Sequence, residues 1–169
     1  MIVEDGTGLM NANSFVDIAY SDTYFSLRGY SQWGDLTDEQ KEVFLIRGSE
    51  YVNYAFDYYG KKMNPTQSLK FPRVNLLDED GESVVGIPCV LKEAVCECAK
   101  IISNGSDMFQ VQDANGAITS ESIGSLSFSY DLSRKIKDSS LYDTVNLRLR
   151  GLYKDKSTGK IISGDMQRV

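Results

Sequence analysis

The chain has 169 residues, of which 41% are hydrophobic and 25% charged, and its net charge is −6. A chain of this length buries roughly 70% of its unfolded surface in one domain, so neither a disulfide nor a metal is needed for it to fold. It has three cysteines and no histidine, which excludes Ser-His-Asp and Cys-His nucleophile systems and most zinc and non-haem iron sites.

Taken in chain order, the opening stretch from Asp5 to Ser14 holds Gly6, Gly8, Asn11 and Asn13. So many turn formers predict an extended lead-in. Asp17 caps a first helix through Ile18, Tyr24, Phe25 and Leu27, and Gly29 ends it. Trp33, in the linker that follows, reads as a core or interface anchor. Thr37 and Gln40 have the spacing of a capping box, with Asp38 and Glu39 in the first turn to suit the helix dipole. The second helix carries Phe44, Leu45, Gly48, Tyr51, Val52 and Ala55 as one stripe, with Gly60 as its expected stop. A mid-helix glycine costs roughly 1 kcal/mol against alanine, so Gly48 marks a close helix crossing.

Residues 61–88 read as a long connection without secondary structure, a kind of segment that is usually functional or mobile. Its first half is basic (Lys61, Lys62, Lys70, Arg73) and its second half acidic (Asp78, Glu79, Asp80, Glu82). Pro88 is expected as the first residue of a third helix, with Leu91, Ala94, Val95, Cys98, Ala99 and Ile102 on one face and Asn104-Gly105 at its end. Of Cys89, Cys96 and Cys98, the last two are two apart on a helix and cannot share a metal, so they read as small buried apolar side chains. The pattern then changes to period 2. Asn115-Gly116 is a turn signal, and Leu126, Phe128 and Tyr130 alternate with serines, which predicts a half-buried strand in a hairpin. A last helix starts at Ser139 or Ser140 and aligns Leu141, Val145, Leu149 and Leu152, with Gly151 weakening its end.

The expected fold is therefore mainly α, a small bundle of three to four helices with an added β-hairpin and an extended C-terminal tail. The expected boundaries are a domain over residues 1–153 and a tail over 154–169. Charge is unevenly spread. Residues 1–133 hold 9 Lys+Arg against 20 Asp+Glu, and residues 134–169 hold 9 against 4. Such an asymmetry suggests a basic arm that reaches an acidic or nucleic-acid partner. No phosphate-binding GxxxxGK[ST] or GxGxxG motif occurs, and the N-terminus lacks the features of a signal peptide. No apolar run approaches a membrane span. Asp78 and Asp80 lie in a turn-rich stretch without the ligand spacing of a calcium loop. The expectation is a protein that is not an enzyme and uses no cofactor or metal.

Several stretches, in this order, resemble a tailed-phage protein family known as DnaT-like single-stranded-DNA-binding proteins and placed among head–tail connectors or adaptors. They run from Val3 to Gly8, from Asn11 to Phe15, from Tyr24 to Gly29, and at Trp33. Others run from Leu45 to Tyr51, from Pro65 to Arg73, from Ile87 to Cys96, and from Ser120 to Tyr130. The resemblance covers roughly the first 130 residues and departs at Met10, where proline is usual, and at Tyr20, where an acid is usual. It implies a virion protein, assembled in the host cytoplasm, that forms a dodecameric ring between the portal and the next tail-side connector or tail protein. DNA would pass through that ring, touching it without sequence preference. Rings need two different adhesive faces on each subunit. The portal-docking element is expected in the C-terminal helix and tail, at Leu141, Arg148, Arg150, Lys154, Lys156, Lys160 and Arg168. The basic patch Lys61, Lys62, Lys70 and Arg73 is expected to face DNA or a partner. The alternative reading takes the same patch as the groove of a single-stranded-DNA-binding replication protein.

Overall fold

The computed structural model describes residues 1–78, 80–106, 108, 120–123, 126–129 and 139–154, with backbone only for 120–123, 126–129 and 139–142. Among the described residues the chain is mainly α, with four α-helices and short antiparallel hairpins. No helix among the described residues is long and apolar enough to cross a membrane.

Helix α1 (Ile18–Leu27) starts where the Asp17 carboxylate accepts the Tyr20 N–H at 2.7 Å. It ends through Arg28 into Gly29, whose φ of +67° is the left-handed turn that glycine adopts without strain. A turn of 3-10 helix (Ser31–Trp33) then places Trp33 in the core, only 1% exposed and 4.6 Å from the Phe25 ring centre. The indole N–H donates to Asp22 at 3.0 Å, and Asp22 pairs with Lys41 at 2.9 Å. Lys41 is thereby buried with its charge matched.

Helix α2 (Asp38–Ala55) begins with the expected capping box. Gln40 N–H donates to Thr37 at 3.3 Å, and Thr37 N–H donates to the Gln40 side chain at 3.0 Å. It stops at Ala55, five residues short of Gly60. Phe56 leaves the helix in extended conformation, and from there burial alternates: Phe56 and Tyr58 go inward, Asp57 and Tyr59 outward. Two buried aromatic rings decide in favour of the extended backbone. Gly60, at φ +70°, belongs to the turn that follows.

The segment 61–88 also differs from expectation, because it contains a small sheet. Strand β1 (Lys61–Lys62) pairs antiparallel with β2 (Arg73–Val74), in the register Lys61 opposite Val74 and Lys62 opposite Arg73. Two residues per strand are too short for alternation to show in a sequence. Helix α3 (Cys89–Ser103) is the centre of the fold. Leu91, Ala94, Val95, Cys96, Cys98, Ala99, Ile101 and Ile102 are all buried. Pro88 is the residue before the helix, not its first turn, since its ψ of 143° is extended.

Helix α2 crosses α3 at Gly48, where an added Cβ would lie 2.9 Å from the Val95 carbonyl oxygen. Strands β3 (Ser120–Ile123) and β4 (Leu126–Ser129) form the second hairpin, with Ser120 opposite Ser129 and Ile123 opposite Leu126. The expected burial of Leu126, Phe128 and Tyr130 lies outside the described residues. Helix α4 (Ser139–Leu149) packs on α3, with Val145, Leu149 and Leu152 buried. The end of this element ties back to the segment after α2. Tyr59 N–H donates to Leu152 C=O at 3.0 Å, and Lys154 N–H donates to Asp57 C=O at 2.8 Å. Residues 155–169, most of the expected tail, lie outside the described residues.

Candidate functional site

The four cations of the basic patch lie together around the β1–β2 hairpin, but in unequal states. Arg73 directs its guanidinium at its own protein. Nε donates to Tyr59 C=O at 2.5 Å, Nη1 to Lys70 C=O at 3.0 Å, and Nη2 to the Tyr58 and Gly60 carbonyls at 3.3 and 2.9 Å. Four of its five N–H groups are thus engaged. Lys70 Nζ donates to Phe56 C=O at 2.7 Å and lies 4.0 Å from Asp57. Lys62 Nζ donates to Gln67 C=O at 3.0 Å. Lys61 is exposed and makes no ion pair among the described residues. The patch is therefore a structural brace with one open cation and one partly open.

The brace continues into a polar lock formed with the lead-in. Glu4 is 3% exposed, and its carboxylate accepts the N–H groups of Gly6, Gly8 and Leu9 at 2.9 to 3.0 Å. The loop it gathers is fastened to residues 64–68. Asn64 Nδ2 donates to Gly8 C=O at 3.1 Å, and Ser68 N–H donates to Leu9 C=O at 3.0 Å. Gln67 is buried beneath, accepting from Asn64 N–H at 2.9 Å and donating to the Leu69 and Pro72 carbonyls at 2.7 and 3.1 Å. Sequence reading missed Glu4 and Gln67, since a buried polar lock has no periodic signal. Replacing Arg73 with lysine should remove most of the grip on residues 58–60. The expected loss in urea unfolding is about 2 kcal/mol, from several charge-assisted bonds given up at roughly 1.5–3 kcal/mol each and partly regained by lysine or water. An unchanged midpoint would mean the guanidinium is free to serve a ligand.

Of the expected docking cations, Arg148, Arg150 and Lys154 are described. Arg148 turns inward, with Nη2 3.1 Å from the Tyr24 hydroxyl and 3.3 Å from Glu97, and Nε 3.5 Å from Glu93. Tyr24 O–H donates to Glu97 at 2.6 Å. Burial, and then that bond to Glu97, push the Tyr24 phenol well up. Arg28 stacks over the Tyr24 ring at 3.6 Å and lies 3.8 Å from Glu93. This cluster fastens α4 to α1 and α3. Arg150 and Lys154 are exposed, whereas the Leu141 side chain and Lys156, Lys160 and Arg168 lie outside the described residues. A groove of about 520 Å³ runs beside the cluster, lined by Tyr20, Tyr24, Leu27, Arg28 and Glu93 among others. Asp17 and Glu93 outweigh Arg28 in its lining, so it does not suit an anion.

Cys96 and Cys98 are buried, as expected, and Cys89 is the third cysteine. It is exposed at the start of α3, 3.5 Å from the Tyr20 hydroxyl. Burial pushes the Cys96 and Cys98 thiols well up, which suppresses their thiolates. A chromogenic disulfide reagent at neutral pH should therefore titrate one thiol in the native protein and three in denaturant. Fast reaction of a second native thiol would contradict the packing of α3.

Among the described residues no group of His, Cys, Asp and Glu is placed to hold a metal ion. The sequence matches the family described as "Putative DnaT-like ssDNA binding protein" over residues 1–169. That match extends past the roughly 130 residues over which the motifs resemble the family, and includes the basic C-terminal stretch. No curated protein and no solved structure matches the chain.

Proposed function

From the premise that the chain belongs to the DnaT-like ssDNA binding protein family, we propose that it acts by non-catalytic contact with a single DNA strand, through the β1–β2 hairpin. The family match along the whole chain is the observation that carries this reading. The hairpin supplies what such contact needs at minimum: Lys61 and Lys62 exposed on adjacent positions, beside the exposed Tyr59. Because Lys70 and Arg73 hold carbonyls, the electrostatic part of binding rests on few charges. Each neutralised phosphate of a single strand adds roughly −0.7 to the slope of log K against log salt, so two lysines give about −1.4. Anisotropy of a labelled thymine oligonucleotide across a salt series measures this. A slope steeper than about −4, that of roughly six phosphate contacts, would move the contact to other cations, such as those after residue 133. No salt-dependent binding at micromolar protein would end the reading.

A second reading places the protein in a virion as the head–tail adaptor, a ring between portal and tail through which DNA passes. The observation in its favour is the spread of large apolar side chains in water. Leu27 on α1 is 80% exposed, Tyr54 on α2 70%, and Leu147 on α4 67%. Faces of this kind on separate elements suit the two unlike contacts of a closed ring. In this reading Arg150 and Lys154, with the basic residues beyond them, meet the portal. Native mass measurement separates the two readings: a closed oligomer that captures portal supports the adaptor, and a monomer indifferent to portal removes it.

A further inference from the structure

We infer that Tyr59 is a base-stacking platform, with Lys61 as the phosphate contact beside it, so that one nucleobase of a single strand lies on the Tyr59 ring. The inference rests on the single-strand reading above and adds to it the residue that would discriminate bases from backbone. It comes from how the chain holds this one side chain.

Tyr59 lies between two carbonyls, of Tyr58 and Gly60, that are both gripped by Arg73, and its own carbonyl accepts from Arg73 Nε. Its N–H donates to Leu152 C=O. The backbone is fastened on both sides, while the residue as a whole is 45% exposed. Neither its hydroxyl nor its ring has a partner among the described residues. The contrast with its neighbour is direct. Tyr58 is 5% exposed, its ring stacks edge-on against Phe71 at 4.8 Å, and its hydroxyl donates to Val52 C=O at 2.8 Å. Tyr58 holds the fold and Tyr59 does not.

An aromatic ring presented from a fixed backbone loses little entropy when a flat ligand covers it. Two residues on, past the turn at Gly60, stands the open cation Lys61, paired across the hairpin with Val74, itself 40% exposed. A ring, a cation and an apolar edge together suit a nucleobase with its phosphate. An acidic protein segment would need the cation and would leave the ring without a role.

The test uses the full chain, with a labelled thymine strand of about 15 nucleotides and an equal strand of abasic sugars, within the usual site size of such proteins. Wild-type protein is expected to prefer the thymine strand by about 5- to 150-fold, the span of one stacked base. Tyr59→Ala should erase that preference and Tyr59→Phe should keep it. Lys61→Ala should weaken both strands equally. Circular dichroism checks that the Tyr59→Ala protein remains folded. Equal binding of both strands by wild type, or an undiminished preference in Tyr59→Ala, overturns the platform while leaving single-strand binding intact. Failure of wild type to bind either strand overturns the single-strand reading, and the platform with it.

Discussion

Gly48→Ala is expected to destabilise the protein by about 2 kcal/mol, although alanine is the better helix former. In an isolated helix the substitution would stabilise by roughly 1 kcal/mol. Here the new Cβ would meet the Val95 carbonyl oxygen at 2.9 Å, the Ala99 nitrogen at 3.2 Å and the Cys98 Cβ at 3.3 Å. Two of these are backbone atoms, which no rotamer change can move. Helices α2 and α3 must therefore separate along their whole contact, at the roughly 1–3 kcal/mol cost of overpacking or more. The midpoint of thermal unfolding should fall by about 4–8 °C. Gly29→Ala is the control. Nothing lies within 4 Å of its added Cβ, yet its φ of +67° is unfavourable to alanine, so its smaller loss is conformational, about 1 kcal/mol. If Gly48→Ala proved as stable as the parent, the close crossing would be wrong.

Glu4→Ala is expected to cost more, about 3 kcal/mol. The substitution leaves the N–H groups of Gly6, Gly8 and Leu9 without their acceptor, and the Gly8 bond is buried. A buried donor left without a partner costs roughly 1–3 kcal/mol, and water reaches only the outer ones. Glu4→Gln separates charge from geometry. Its amide oxygen can keep Gly6 and Gly8, whereas its NH2 group would face the Leu9 N–H, so about half the loss is expected. Limited proteolysis should find the lead-in of the alanine variant cleaved early, since Asn64 and Ser68 then hold a loop with no centre. A lead-in as resistant as the parent's would show that the lock forms without Glu4.

Much of the helical fold was legible because its signals are local. Thr37 and Gln40 announce a capping box three residues apart, Asp17 and Gly29 bracket α1, and Gly48 interrupts a stripe that is otherwise bulky. The end of α2 was not legible. Phe56 and Tyr58 satisfy a helical reading and an alternating one equally over so short a run, and only the neighbouring Phe71 and Tyr153 rings decide between them. The site was harder still. Lys70, Arg73 and Arg148 count as positive charge in a sequence, but what such a charge does depends on partners far along the chain. Arg73 finds carbonyls 13 to 15 residues away, and Arg148 finds Glu97 51 residues away. Composition counts all of these as open charge, whereas Arg73 and Arg148 are turned onto their own protein. Tyr59 was hidden among ten tyrosines until burial separated it from Tyr58.

The contacts of Leu152 and Lys154 with residues 57–59 also bear on how the protein is made. Chains emerge from the ribosome N-terminal end first. Helices α1 to α3 can pack early, because both sides of the Gly48 crossing precede the last helix in the chain. The strap across Tyr58 and Tyr59 cannot form until the last helix has been released. Until then the face of α3 that receives Val145 and Leu149 stays wet, and the Tyr59 N–H has only water. A ribosome stalled before α4 would thus carry an apolar wound beside a turn that the finished protein holds from both sides. The interval between α3 and α4 is the period in which a chaperone would have most to gain by binding.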